Sequence, residues 1–261
     1  TSLRFKNSLS FPILLLLSDI FQHCTAEVVM CQDTNHDNSF PPRAGRLQAV
    51  VKDRFLRYNN TNLLAGRLPC WIGGFCMVET FDVSITPYGL IRRTFVYLPD
   101  DWQTSGKKYP VLYMFDGHNL FFDSTATYGT CWGLKEYCDA HPNWIIAAPE
   151  CNHEGNKRLE EYCPYQSDWF GGITGTGHEY MEWLTKKFKP MMDKRYPTLP
   201  GRANTAIGGS SMGGLMSLYA ITVYNKVFSK AACLSPSVRL CMPELRQEIA
   251  NATIHPGTRV Y

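Results

Sequence analysis

The stretch that decides the fold is residues 204–221, which read Asn-Thr-Ala-Ile-Gly-Gly-Ser-Ser-Met-Gly-Gly-Leu-Met-Ser-Leu-Tyr-Ala-Ile. A short apolar run at 206–208 meets a Gly-x-Ser-x-Gly segment centred on Ser211, and an apolar helical pattern follows from Leu215. Strand, sharp turn and helix in this order are the setting of a nucleophile elbow, which leaves its serine at the tip of the turn. The segment therefore predicts that Ser211 is an exposed nucleophile.

The residues around Ser211 each fit a role in such a turn. Gly209 and Gly213 lie two positions before and after the serine, where a side chain would collide as the backbone reverses. The N–H of Met212 falls at the N-terminus of the following helix, where it can bind a developing oxyanion. The alternative is an ordinary Gly/Ser-rich turn without chemistry.

Further motifs occur in a fixed order along the chain. Residues 109–119 read Tyr-Pro-Val-Leu-Tyr-Met-Phe-Asp-Gly-His-Asn, and Ala-Pro-Glu at 148–150 and the segments 177–180 and 207–219 follow. Together they resemble an esterase family of the α/β-hydrolase superfamily, which includes esterase D, enterochelin esterase, feruloyl and acetyl-xylan esterases and the mycolyltransferases. The resemblance covers about residues 77–261. It implies an α/β-hydrolase fold and a serine esterase.

Hydrophobic patterning predicts the fold class independently. The runs 111–115 and 144–148 are apolar throughout, as expected for strands of a parallel sheet that is covered by helices on both faces. Residues 79–85 alternate and 91–98 return after a turn, which predicts two leading antiparallel strands. We therefore expect a mostly parallel α/β sheet, and the resemblance implies that its last strands are missing from this chain.

The helix that begins near Gly177 has a clear period. Its apolar positions fall on one predicted face, and the charged positions, Lys189 among them, lie mostly on the other. Pro190 is expected to kink or end this helix. The apolar face comprises Tyr180, Trp183, Leu184, Phe188, Met191 and Met192.

Residues 1–76 do not fit the domain. They show no sustained period of 2 or 3.6, and the apolar run at 11–17 is too short to span a bilayer and lacks a clean cleavage site after it. We expect them to be an N-terminal extension, disordered or not native, with Met77 as the natural start and residues 77–261 as the hydrolase domain. The predicted location is the cytoplasm, with secretion as the alternative.

The resemblance assigns a second loop to the site. Asp116-Gly117-His118 follows a buried strand, and in the family the residue after this glycine donates the second oxyanion N–H. His118 would act through its backbone amide, Gly117 would allow close approach, and Asp116 would hold the loop. A plain turn is the alternative for this segment.

Candidate substrate contacts lie in the loops after the strands. Trp132, Glu150 and Asn152 are candidates for a substrate pocket, and the aromatic-rich loop through Trp169 and Phe170 occupies a position where ligands of such sheets collect. Ordinary core packing is the alternative for the aromatic residues.

Composition narrows the function classes. Of 261 residues 44% are hydrophobic and 19% charged, the net charge is +3, and no basic cluster is interleaved with aromatics, so nucleic acid is not an expected partner. The ten cysteines show no paired C-x-x-C spacing, and Cys151, His153 and Glu154 lack partners at a recognised spacing. We predict no metal, no cofactor and no membrane partner. Cys131 and Cys138 could form a disulfide if the protein is exported.

The mechanism requires residues that the motifs do not supply. A serine hydroxyl needs a histidine to take its proton and a carboxylate to orient that histidine, and on this fold both follow the nucleophile. The resemblance places them after the strand that begins near Thr258 and after the next one, beyond Tyr261. His255 precedes that strand and fits a surface loop. We expect a parent protein that hydrolyses esters and a 261-residue chain that is nearly inactive.

Three functions remain open. The first is a serine carboxylic ester hydrolase that forms an acyl-enzyme on Ser211 and acts on a small-molecule or carbohydrate ester. The second is an acyltransferase of the same fold, and the third is a non-catalytic binding domain. The sequence decides neither the ester nor the oligomeric state.

Overall fold

Seven strands form one mixed sheet in the computed structural model, which describes residues 77–86 and 88–261. The order across the sheet is β1-β2-β4-β3-β5-β6-β7. The strands are β1 (Met77–Ile85), β2 (Leu90–Leu98), β3 (Val111–Met114), β4 (Ile145–Pro149), β5 (Thr205–Ser210), β6 (Lys230–Leu234) and β7 (Arg259–Val260). The expectations for residues 1–76 lie outside the described residues.

The sheet is antiparallel at one edge and parallel across the rest. β1 pairs with β2 from Met77 opposite Leu98 to Ile85 opposite Leu90, and β2 runs antiparallel to β4. All remaining neighbours are parallel. The predicted leading pair and parallel core are confirmed, although β1 begins two residues earlier than the alternation at 79–85 indicated.

Both faces of the central strands are buried, as the continuous apolar runs predicted. In β3, Val111 and Tyr113 belong to one hydrophobic cluster, whereas Leu112 and Met114 belong to the other. Because successive side chains of a strand point to opposite faces, these clusters mark two packed layers around the sheet. Every residue of β3 is at most 4% exposed.

Six α-helices occur in the described residues. They are α1 (Leu134–Ala140), α2 (Lys157–Glu161), α3 (Gly177–Trp183), α4 (Lys189–Arg195), α5 (Met212–Val223) and α6 (Met242–Asn251). Residues of α3, α4, α5 and α6 join the larger cluster, whereas Leu134 and Cys138 of α1 join the smaller one. Among the described helices, none has the length and apolar character needed to cross a bilayer.

A π-helical turn corrects the predicted faces of the helix near Gly177. Leu184–Phe188 form this turn between α3 and α4, and Pro190 lies in the first turn of α4. The helix does not end at Pro190, since helical turns continue to Arg195. A π turn adds one residue and shifts the face that follows. Met191, predicted to be buried, is therefore 37% exposed, whereas Lys189, predicted to be solvated, is 8% exposed.

The ends of the parallel strands form two chemically different sides of the sheet. We call the side where these strands end the carboxyl edge and the side where they begin the amino edge. The carboxyl ends of β3, β4, β5 and β6 lead into Phe115, Glu150, Ser211 and Ser235, and the strand register brings these loops to one edge. At the amino ends, Arg202, Asn225 and Thr258 meet at the opposite edge. Open α/β sheets bind their ligands at the carboxyl edge.

No disulfide occurs among the cysteines of the described residues. They include Cys131, which is half-buried, and Cys138, which is buried. The disulfide that the sequence allowed between these two is therefore not formed.

Candidate active site

Ser211 stands between β5 and α5 in a strained conformation. Its φ of 58° and ψ of −113° are outside the regions that non-glycine residues favour, and the residue is exposed. Two backbone hydrogen bonds hold it there: its N–H donates to the Leu234 carbonyl at 2.9 Å, and its carbonyl accepts from the Ser237 N–H at 3.0 Å. Such strain persists only where surrounding structure enforces it, and it is typical of functional sites.

The turn can be this tight because glycines flank it. A Cβ on Gly209 would lie 2.8 Å from the Gly213 carbonyl carbon, and a Cβ on Gly213 would lie 2.9 Å from Phe115 Cβ. Both distances are shorter than real contacts allow. Neither position can therefore take a larger residue without a shift of the neighbouring atoms, and Gly213 packs directly on the end of β3.

The Asp116-Gly117-His118 loop lies beside the elbow. Gly117 to Asn119 form a 3₁₀ turn, and Asp116 before it has a φ of 58°. A Cβ on Gly117 would lie 2.0 Å from the Ala148 carbonyl oxygen. Any larger residue would therefore push this loop away from β4.

Asp116 is fixed by an arginine that the sequence did not single out. Arg158 in α2 donates from Nε to Oδ1 and from Nη2 to Oδ2, each at 2.7 Å. The two side chains are 29% and 6% exposed, so the pair is largely desolvated. A bidentate charged pair of this kind fixes orientation as well as charge. The only signal in the sequence was a cation in the polar loop after β4.

A cleft opens at Ser211. Its volume is about 360 Å³, which falls within the range of small-molecule sites. Aromatic and aliphatic side chains share its wall with two guanidinium groups, and Arg239 lies 5.4 Å from the centre of the Trp169 ring. The wall includes Arg158, Trp169, Phe170, Pro236, Arg239 and Leu240.

The partner of the nucleophile is another hydroxyl. Ser211 Oγ lies 3.0 Å from Ser237 Oγ, and among the described residues no imidazole or carboxylate hydrogen-bonds to it. His255 is exposed, donates its backbone N–H to Asn225 Oδ1 at 3.1 Å and lies at the amino edge. The length of β5 separates it from Ser211 by roughly 20 Å.

The residues proposed for a substrate pocket lie apart from this cleft. Trp132 packs against the smaller hydrophobic cluster, and Glu150 is half-buried with Oε2 3.8 Å from His153 Nε2. Asn152 uses its Oδ1 to accept the Glu154 N–H at 2.9 Å, which shapes its own loop. The cleft wall instead contains Trp169 and Phe170, which the sequence placed in the aromatic-rich loop.

Two buried ionisable groups lie near the carboxyl edge. Burial lowers the pKa of His118 from 6.5 to about 4, so its imidazole is neutral at pH 7. Burial raises the pKa of Glu161 from 4.5 to about 7, against the opposing effect of Arg92. Neither group was recognised as perturbed in the sequence, because the burial of a single polar residue leaves no periodic pattern.

Known structures share this fold. An IroE-like serine hydrolase from Shewanella oneidensis superposes with a TM-score of 0.55 over 67% of this chain and 55% of that chain, at 17% identity. That structure confirms the α/β-hydrolase fold and leaves substrate undecided.

Curated proteins are similar in sequence as well. Uncharacterized protein YbbA of Bacillus subtilis is 26% identical over 171 residues, which are 64% of this chain and 64% of that protein. Esterase Rv1288 of Mycobacterium tuberculosis is 27% identical over 146 residues, which are 54% of this chain and 28% of that protein. The chain thus spans less than two thirds of the length of each of these relatives.

A family model covers most of the domain. The model described as "Putative esterase" matches residues 90–255, a range that contains the Asp116-Gly117-His118 loop and the whole elbow. The match extends over more than half of the chain, and the chain therefore belongs to this esterase family of the α/β-hydrolase superfamily.

Proposed function

We propose that this protein is a serine carboxylic ester hydrolase that forms an acyl-enzyme on Ser211. The observation that carries the proposal is the strained, exposed Ser211 at the mouth of a cleft of about 360 Å³. The strained turn presents an exposed hydroxyl side chain to the cleft. Family membership and the similarity to an esterase of Mycobacterium tuberculosis support the same reaction.

The reaction begins with attack of Ser211 Oγ on the ester carbonyl. Charge then develops on the carbonyl oxygen, and we propose that the backbone N–H groups of Met212 and His118 stabilise it. Met212 is the first residue of α5, whose leading N–H groups have no intrahelical partners. The contact between Gly213 and Phe115 supports this arrangement, since it joins the elbow to the loop that carries His118.

Asp116 and Gly117 have supporting roles in this proposal. The Arg158 fork holds the Asp116 carboxylate, and the missing side chain of Gly117 lets the loop lie against Ala148. Both effects position the His118 amide. Preorganised donors of this kind typically contribute about 3–4 kcal/mol to transition-state stabilisation.

We propose that the general base and its orienting acid come from outside the described residues. Ser237 is neutral and does not replace an imidazole, because a hydroxyl is a very weak base near pH 7. A form of the protein that lacks these two groups is therefore expected to react slowly. Loss of a triad partner commonly removes about 10⁴-fold in rate.

The cleft fits a small ester. Trp169, Phe170 and Leu240 offer apolar surface, whereas Arg158 and Arg239 offer positive charge at the same wall. Ligand pockets of this kind bind mostly through apolar surface and use a few polar groups for orientation. The proposed substrate is a small-molecule or carbohydrate ester.

A fluorophosphonate probe tests the proposal. A form of the protein that continues beyond Tyr261 with an acid followed by a histidine should be labelled at Ser211, and the 261-residue chain should be labelled far more slowly. Ser211→Ala should abolish labelling in both, with Ser210→Ala as the matched control. Labelling at another serine would overturn the proposed nucleophile, and equal rates in both forms would overturn the missing base.

Product analysis separates hydrolysis from acyl transfer. With p-nitrophenyl acetate as donor and a sugar present, the hydrolase releases free acetate. Acetylated sugar as the main product would assign the acyltransferase function instead.

A further inference from the structure

We propose that His118, Cys151 and His153 form a zinc site at the carboxyl edge of the sheet. Each side chain offers one ligand atom, and these atoms lie within 4.8 Å of one another. His118 comes from the loop after β3, whereas Cys151 and His153 come from the loop after β4. The site does not depend on the proposed esterase reaction, because its readout is metal binding.

One imidazole nitrogen of His118 has no hydrogen-bond partner among the described residues. The residue is 3% exposed, and its Nε2 lies 3.0 Å from Thr127 Oγ1. Its Nδ1 is buried and has no hydrogen-bond partner among the described residues. Buried polar atoms are nearly always satisfied, so an orphan of this kind requires an explanation. A metal ion would bind the Nδ1 lone pair while Nε2–H donates to Thr127.

This arrangement of His118 is the one that metal-binding histidines usually have. A ligating imidazole normally donates its other N–H to an oxygen acceptor, which sets the tautomer and the ring orientation. Thr127 Oγ1 is such an acceptor at a fitting distance. Thr127 is thus a positioning residue for the proposed site.

The other two ligands approach from one loop. Cys151 is 2% exposed and is a free thiol, and the rings of His118 and His153 lie 4.5 Å apart, edge to face. Tetrahedral zinc with nitrogen and sulfur ligands needs about 3.3–3.7 Å between ligand atoms. The cluster must therefore close by about 1 Å, and the His153 side chain, which is 53% exposed, can rotate to do so.

The donor set selects the ion. One thiolate and two imidazoles suit zinc, whereas Mg²⁺ and Ca²⁺ require oxygen ligands. The Glu150 carboxylate lies 3.8 Å from His153 Nε2 and adds negative charge at the rim. The nearby Arg158 charge is paired with Asp116 and adds little net repulsion. Binding replaces the Cys151 S–H bond by a sulfur–zinc bond and releases the proton to solvent.

The test is metal binding by the 261-residue chain after removal of metal with a chelator. Co²⁺ added to the protein should give a thiolate-to-cobalt charge-transfer band, and Zn²⁺ should displace it with one equivalent per chain. Cys151→Ser should abolish the band, and Cys131→Ser, which changes a half-buried thiol outside the cluster, should retain it. Cys163→Ser, which changes a buried cysteine outside the cluster, should retain the band as well.

Two further variants distinguish a loss of metal binding from a loss of the fold. His153→Ala changes an exposed side chain and should weaken zinc binding strongly without lowering the melting temperature of the metal-free protein. Thr127→Val keeps the side-chain shape but removes the acceptor, and it should lower zinc affinity by about 10–100-fold. The proposal is overturned if the band survives Cys151→Ser, if His153→Ala binds zinc normally, or if the wild-type chain binds no stoichiometric metal.

Discussion

The two edges of the parallel sheet are built from the same strands but have opposite character. At the amino edge, Arg202 donates to the Asn225 carbonyl at 2.5 Å and to Thr258 Oγ1 at 2.6 Å, and Asn225 Oδ1 accepts the His255 N–H. At the carboxyl edge, Ser211 and Asp116 have left-handed φ values, and His118 Nδ1 has no partner among the described residues.

The strain in the described residues is concentrated on one side. Four non-glycine residues there have positive φ: Asp116, Phe170, Ser211 and Ser235. All except Asp116 line the cleft, and Asp116 lies beneath it in contact with Arg158. Each such residue costs about 1–3 kcal/mol, which a fold retains where the conformation has a use. Hydrogen bonds from Arg202 hold the amino edge, whereas the strained residues lie around the proposed active site at the carboxyl edge.

The largest expected effect is on the rate of ester hydrolysis, when Ser211 of the carboxyl edge is replaced and the result is compared with replacement of His255 at the amino edge. In a catalytically active form of the protein, Ser211→Ala should reduce hydrolysis of p-nitrophenyl acetate by about a millionfold, since the nucleophile is lost. His255→Ala should change the rate by less than about twofold, as exposed substitutions usually do. A large loss with His255→Ala would assign it a role in the reaction and would contradict the division between the edges.

The next comparison uses one arginine from each edge. Arg158→Ala leaves the buried Asp116 carboxylate unpaired and should lower the free energy of unfolding by about 3–5 kcal/mol. Arg202→Ala removes donors from Asn225 and Thr258 and should cost about 1–3 kcal/mol. Urea unfolding of the 261-residue chain measures both. Arg158→Ala should also slow probe labelling of Ser211, whereas Arg202→Ala should not, and the reverse pattern would be inconsistent with the loop assignment.

The pH dependence of stability tests the buried carboxyl group at the functional edge. The pKa of Glu161 is about 7 in the folded protein against an ordinary 4.5, so the folded state binds its proton more tightly. Its stabilising contribution is complete below pH 4.5 and is lost as the pH rises to 7. The change amounts to at most about 3 kcal/mol, because each pH unit corresponds to about 1.4 kcal/mol.

Glu161→Gln provides the control for this pH effect. The variant keeps an oxygen that can accept the Asn152 N–H, which Glu161 Oε2 binds at 2.7 Å. Urea unfolding between pH 4.5 and 7 should show a smaller loss of stability with rising pH than in the wild type. Identical slopes in the two proteins would show that Glu161 does not titrate in this range.

The smallest expected effect concerns the cleft wall. Arg239 is exposed and stacks on Trp169, so it can contact a negatively charged substrate group at modest energy. Arg239→Ala should raise KM for an ester with a carboxylate by roughly fivefold, equivalent to about 1 kcal/mol. A neutral ester of the same size should be unaffected. An equal rise for both esters would indicate packing by Arg239 and no charge selection.

Local sequence patterns predicted those strands in which the burial of successive residues follows a regular period. In β3 and β4 the continuous apolar run indicates burial on both faces, and in β1 the alternation indicates burial on one face. The helix near Gly177 shows the limit of such reasoning. One extra residue in the π turn Leu184–Phe188 moves Met191 to the surface and Lys189 into the domain, and no period in the sequence marks that insertion.

The contacts between loops could not be predicted. Arg158 lies 42 positions after Asp116, and Ser237 lies 26 after Ser211, yet each pair forms a hydrogen bond. Trp132, Glu150 and Asn152 were predicted pocket residues by their position after strands, whereas the wall of the cleft at Ser211 contains Trp169 and Phe170. Which loops meet at a cleft depends on how the loops pack, and a single sequence does not contain that information.

The sequence by itself determined the strand–turn–helix of the elbow, the buried strands of the core and the family, because these depend on glycine sterics and on periodicity within short stretches. Only the tertiary structure decided that His118 joins Cys151 and His153, although no spacing in the sequence indicated a metal site. The physical reason is that parallel strands bring the ends of distant segments to one edge, where groups from different loops come within a few ångströms of each other.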